Sequence, residues 1–130
     1  MKILITGSKG QLGLEIINQL KLEDKYEIIA TDRNNLDITN MDNVSEVILH
    51  NKPDIVINCA AHTAVDLCET DIENAYKINA IGPRNLAIVC EKTGAKFVQV
   101  STDYVLMEIV IGRIKKMIKL VRTQYMEQVN

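Results

Sequence analysis

The sequence predicts a doubly wound α/β fold, in which one parallel sheet carries helices on both faces. Two observations predict it. Short apolar, β-branched runs alternate with segments of helical periodicity from Met1 to about Val100, and that alternation demands parallel strands joined by crossover helices. The first run is also separated from the first helical segment by Gly7, Gly10 and Gly13. Strand, glycine turn and helix in that order are the context of a Rossmann-type dinucleotide fingerprint.

The elements follow in order. Ile3-Leu4-Ile5 reads as a buried strand, and Leu14, Ile16, Ile17 and Leu20 recur behind the glycines at helical spacing. Gly7 would permit the tight turn, Gly10 would let the backbone approach a pyrophosphate, and Gly13 would let the helix pack closely on the strand. The free N–H groups and positive dipole end of that helix form an anion site. Tyr26–Thr31 reads as a second strand ending at Asp32, where such folds contact the adenosine ribose. Asp32 favours NAD and the adjacent Arg33 favours the 2′-phosphate of NADP, so both NADH and NADPH stay open. Asp32-Arg33-Asn34-Asn35 also reads as a plain solvated turn.

Leu36-Asp37-Ile38 is a third apolar stretch, too short to assign on pattern, with Thr39 as the expected N-cap of the next helix. Met41–Asn51 has Val44, Val47 and Ile48 on one helical face and ends before Pro53. Ile55–Asn58 is then a fourth apolar strand, making five with the last one below, and leads into Cys59-Ala60-Ala61, whose small residues would let a ligand lie against the backbone or would pack a helix against the sheet. Asp71–Thr93 is helical, with Ala75, Ile78, Leu86 and Val89 inward, a break expected at Gly82-Pro83, and Gly94 as its stop. Lys96–Val100 is the last strand, followed by Ser101-Thr102-Asp103-Tyr104. Gly7, Asp32, Ala60 and Ser101 all fall at carboxyl ends of strands, where ligands of such sheets sit.

With 130 residues the chain can bury a real core, and 47% hydrophobic with 25% charged residues is ordinary for a globular protein. A net charge of −2 gives no support for nucleic-acid or anionic-membrane binding. No apolar run approaches the roughly 20 residues of a spanning helix. A strand at the N-terminus leaves no room for a signal peptide. Cys59, Cys68 and Cys90 lack Cys-x-x-Cys spacing and sit among apolar neighbours, which suggests reduced thiols in a cytoplasm. His50 and His62 are too few and too separate to suggest a metal site.

From Leu106 onward the character changes. Arg113, Lys115, Lys116, Lys119 and Arg122 would form a basic amphipathic helix, read first as a solvated surface helix.

The residues of the first 105 positions resemble the extended short-chain dehydrogenase/reductases, and within them the dTDP-4-dehydrorhamnose reductases. The resemblance is carried by Thr6-Gly7-Ser-Lys-Gly10-Gln-Leu-Gly13, Leu36-Asp-Ile-Thr39 and Pro53-Asp-Ile-Val-Ile-Asn58. It continues in Ala60-Ala-His-Thr-Ala-Val-Asp66, Glu69, Asn79 and Ser101-Thr-Asp-Tyr-Val105. It implies NAD(P)H-dependent reduction of dTDP-4-dehydro-β-L-rhamnose to dTDP-L-rhamnose. By position, Gly7, Gly10, Gln11, Leu12 and Gly13 would face the pyrophosphate, Asp32 and Arg33 the adenosine ribose, and Asp37 and Ile38 the adenine. Ala60, Ala61 and Thr63 would line the nicotinamide side and Val65 the substrate, with Thr102 and Asp103 in the catalytic cluster. A hydroxyl beside a developing alkoxide can donate a hydrogen bond as charge builds.

The chain also departs from the family. The Tyr-x-x-x-Lys pair of these enzymes is absent, because Tyr125 is followed four places on by Val129 and Tyr104 by Glu108. The substrate domain is also expected to be missing, leaving residues 1–105 as the nucleotide-binding domain and 106–130 as an atypical tail. Read one base back, codons for Leu106-Met-Glu108 can give Phe-Asp-Gly, and those for Met126–Asn130 can give Tyr-Gly-Ala-Ser-Lys. The tail therefore reads as a frameshifted continuation, and the chain as inactive on its own. An uncovered sheet edge would pair with other chains to form a homo-oligomer. A non-catalytic subunit, similar to the regulatory subunit of methionine adenosyltransferase, is the alternative. The absence of Gly-Lys-Ser/Thr excludes a kinase-like phosphate loop.

Overall fold

A computed structural model describes residues 1–61 and 71–100, which fall in one compact unit, Met1–Val100. Four parallel strands form the sheet: β1 (Lys2–Thr6), β2 (Glu27–Ala30), β3 (Ile55–Asn58) and β4 (Lys96–Gln99), in the order β2-β1-β3-β4. Leu4 pairs with Ile29 on one side and Val56 on the other, and Thr6 pairs with Asn58, which in turn pairs with Gln99. Helices α1 (Gln11–Lys21), α2 (Met41–Asn51), α3 (Ile72–Tyr76) and α4 (Gly82–Thr93) supply the layers, with a π-helical turn at Lys77–Ile81 between the last two.

Side chains alternate across a strand, so β1 feeds two cores. Ile3 and Ile5 pack with Ile17 of α1 on one face. Leu4 and Val56 point to the other, where Val44 and Ile48 of α2 meet Leu86, Val89 and Cys90 of α4. The doubly wound expectation holds. Chain order reverses between β1 and β3, and that reversal opens a crevice at the carboxyl ends of the strands.

Two local expectations are corrected. Leu36-Asp37-Ile38 is not a strand, so the described sheet has four strands and not five. Asp37 Oδ1 accepts hydrogen bonds from the N–H and hydroxyl of Thr39, which curls the chain, while Leu36 and Ile38 plug the core. The N-cap of α2 is Asn40 and not Thr39: Asn40 Oδ1 accepts from Asn43 N at 3.1 Å, whereas the Thr39 hydroxyl is engaged by Asp37. Gly82-Pro83 falls at a helix boundary, as expected: the π turn ends at Ile81 and α4 begins at Gly82. Pro83 lies in the first turn of α4, where a missing N–H is tolerated, and the π turn before it shifts the hydrogen-bond register. Gly94 ends α4 with φ +78°, as expected. Among the described residues, no helix is long and apolar enough to cross a membrane.

Candidate functional site

A cleft of about 440 Å³ lies at the reversal point, walled by the loops after β1, β2 and β3. Its floor begins with the glycine loop. Gly7 has φ +63°, and a Cβ there would stand 2.7 Å from the Ala60 nitrogen, so this loop lies directly against the end of β3. A Cβ on Gly13 would run into the Gly7 carbonyl oxygen. Gly13 therefore lets α1 press on the loop itself and not, as expected, on the strand. Gly10 is different: a Cβ would meet only the Gly7 oxygen, at 3.4 Å, and the residue borders the cleft. Gly10 is also the N-cap of α1. It offers no side-chain acceptor, and the first turn holds no acidic residue. The positive end of α1 thus meets the cleft without a side-chain cap, as an anion site requires.

After β2 comes Asp32. Lys9 Nζ lies 2.6 Å from Asp32 Oδ2, and Asn34 N donates to Asp32 Oδ1 at 2.8 Å. The lysine hydrogen bond and then the Asn34 amide hold the Asp32 carboxyl below the usual carboxylate range. Lys9 is 75% exposed and Asp32 19%, so the pair is solvent-screened and its work is local charge, not stability. Arg33 and Asn34 continue the wall, followed by Leu36, Asp37 and Ile38.

After β3, a polar chain crosses the strand ends. The Thr6 hydroxyl donates to Asn58 Oδ1, and Asn58 Nδ2 donates to Gln99 Oε1 at 2.8 Å. The N–H of Ala60 donates to Asn58 Oδ1 at 3.2 Å. Asn58 is fully buried, and this chain fixes the backbone that carries Cys59, Ala60 and Ala61 to the cleft. Burial pushes the Cys59 thiol up, so it is neutral at neutral pH.

Of the expected site residues, Gly7, Gly10, Asp32, Arg33, Asp37, Ile38, Ala60 and Ala61 line this one cleft. Gln11 and Leu12 open α1 beside it, and Gly13 stands behind it as a spacer. Thr63, Val65, Thr102 and Asp103 lie outside the described residues, as does the basic tail. Sequence reasoning missed Lys9, Asn58, Asn74 and Ile78. Lys9 stands between two glycines, a signal that gains meaning only when Asp32 is known to face it. Asn74 and Ile78 reach the cleft from the helical segment, which their spacing did not indicate.

Parallel order, glycine loop, a helix N-terminus free of side-chain caps and an acid after β2 define a Rossmann-type α/β domain with its site at the topological reversal. The chain belongs to the RmlD substrate binding domain family, whose model matches residues 1–107. It is 45% identical over 104 residues to the spore coat polysaccharide biosynthesis protein SpsK of Bacillus subtilis (strain 168), covering 80% of this chain and 36% of that protein. It is similar to the crystal structure of a dTDP-4-dehydrorhamnose reductase from Clostridium acetobutylicum ATCC 824, with TM-score 0.77 and 59% identity over 80% of this chain and 37% of that one. It is also similar to the dTDP-4-dehydrorhamnose reductase of Bacillus anthracis str. Ames in complex with NADP, with TM-score 0.75 and 45% identity over 79% and 36% of the two chains. The chain thus spans little more than a third of the length of the relatives it matches.

Proposed function

We propose that residues 1–105 are the nucleotide-binding part of a dTDP-4-dehydrorhamnose reductase, acting in dTDP-rhamnose biosynthesis with NADPH or NADH. One observation carries this reading: the Gly10 N-cap of α1, free of any side-chain cap, shares a single cleft with Asp32 and Ala60. The residues fit the cofactor. The N-terminus of α1, with Gln11 and Leu12 behind the open face of Gly10, would hold the pyrophosphate. Asp32 would accept a ribose 2′-hydroxyl, and Lys9 and Arg33 would neutralise a 2′-phosphate, so both forms fit. Ala60 and Ala61, held by Asn58, would border the nicotinamide with Thr63. Val65 would touch substrate, and Thr102 and Asp103 would belong to the catalytic cluster. The bound nucleotide would supply the hydride.

The family match ends at residue 107, which supports reading residues 106–130 as a frameshifted tail. The chain would then bind nucleotide without reducing the sugar, because the Tyr-x-x-x-Lys pair that donates and tunes the proton is absent from its sequence. Cysteines outside Cys-x-x-Cys spacing support a cytoplasmic setting. The outer edge of β4, unpaired among the described residues, supports self-association. Titrating the purified chain with NADPH and NADH, then assaying turnover of dTDP-4-dehydro-β-L-rhamnose, tests the reading. Saturable binding with no turnover is expected. No binding of either nucleotide would overturn the assignment, and turnover would overturn the inactivity.

A further inference from the structure

This inference rests on the dinucleotide reading and concerns residues behind the site. With phosphate at the N-terminus of α1 and ribose at Asp32, the base falls on the next stretch of wall, Leu36 and Ile38, with Ile78 on the same cleft. That wall is neither strand nor helix. Its position must therefore be set from outside, and α4 sets it twice. Asn85 Nδ2 donates to the Ile38 carbonyl oxygen at 2.9 Å, across 47 residues of sequence. Three residues earlier on the same helix, Gly82 leaves room for the Ile38 side chain: a Cβ there would stand 2.5 Å from Ile38 Cδ1 and 2.7 Å from Cγ1.

Residues three apart share a helix face, so one face of α4 holds Ile38 by both backbone and side chain. Neither Asn85 nor Gly82 lines the cleft. Asn85 is buried beside Leu86 and Val89, where an unpaired amide is costly and an apolar residue packs well. The Ile38 carbonyl accounts for the amide. We infer that Asn85 and Gly82 are positioning residues for an adenine subsite, fixing the height at which Ile38 presents an apolar floor to the base.

The test uses the full chain with two probes, ADP and inorganic pyrophosphate, followed by calorimetry and by amide shifts in the first turn of α1. Asn85→Ala removes the backbone tether. Gly82→Ala pushes on Cδ1 and Cγ1 of Ile38 and leaves the Asn85 tether in place, so it keeps the test alive if Asn85→Ala does not fold. Both should weaken ADP by roughly tenfold while leaving pyrophosphate within about twofold. Parallel loss of ADP and pyrophosphate, or ADP affinity equal to the parent's, would overturn the inference. Failure of the parent chain to bind either probe would instead sink the dinucleotide reading on which it rests.

Discussion

Replacing Asn58 by Ala should be among the most damaging single changes in the described domain, and its magnitude can be worked from the contacts. Asn58 is fully buried and accepts from the Thr6 hydroxyl and the Ala60 N–H while donating to Gln99. Stranding the buried Thr6 hydroxyl costs about 1–2 kcal/mol. Gln99 is exposed and Ala60 N retains the Thr6 oxygen at 3.4 Å, so these two lose only about 0.5 kcal/mol between them. Deleting the carboxamide leaves a void worth about 1 kcal/mol more. The sum is about 3 kcal/mol. At a urea slope of roughly 2 kcal/mol/M, the unfolding midpoint should fall by about 1.5 M. Thr6→Val removes the other end of the same bond and should cost about 1–2 kcal/mol alone but almost nothing in the Asn58→Ala background. Urea melts of the four proteins of this cycle, read by far-UV circular dichroism, make the measurement. A loss under about 1 kcal/mol for Asn58→Ala, or strictly additive single effects, would refute the argument that one hydrogen-bonded chain ties β1, β3 and β4 together.

Three further outcomes are expected. Gly13→Ala should destabilise by about 1–2 kcal/mol, because the clash with the Gly7 carbonyl outweighs the gain in helix propensity; Gly10→Ala should keep stability within about 0.5 kcal/mol yet weaken NADPH at least about tenfold, and thermal melts with nucleotide titrations separate the two. Lys9→Ala should lower affinity for NADPH relative to NADH by roughly fivefold, more at low salt, because it leaves Asp32 unneutralised beside the 2′-phosphate; an unchanged ratio of dissociation constants would refute that placement. Burial pushes the Cys90 thiol from its ordinary 9.0 up to about 11. The folded state then holds its proton where the unfolded state has lost it, so this contribution is complete below pH 9 and lost between about 9 and 11. The parent should lose roughly 2–3 kcal/mol more than Cys90→Ala across that window, and parallel urea-stability curves would contradict it.

Legibility followed the physics of each segment. α2 was read with its observed bounds because Val44, Val47 and Ile48 mark one face and Pro53 follows at once. β3 was equally plain, an unbroken Ile-Val-Ile between Asp54 and Asn58. Leu36-Asp37-Ile38 was ambiguous because alternating burial suits both a strand and a plug, and Asp37's grip on Thr39 is invisible in periodicity. The boundary at Gly82-Pro83 is legible, but its form is not. Pro is costly inside a helix but harmless in a first turn, and the π turn that starts a new register has no clear sequence mark. The glycine triplet, Asp32 and Ala60 were legible because strand ends collect ligands in such sheets. Lys9, Asn74, Asn58 and Asn85 were not, since each draws its meaning from a partner distant in sequence or from tertiary packing.

The Leu36–Thr39 stretch serves two masters. Leu36 and Ile38 belong to the main apolar core and also border the cleft. Occupancy of the cleft and cohesion of that core therefore report on each other. A nucleotide held at 100 times its dissociation constant adds about 2.7 kcal/mol to the free energy of unfolding, by mass action alone. For a domain whose relatives continue well past its length, such a ligand would act as a chaperone of its own binding site: the chain would be most completely folded when carrying cargo.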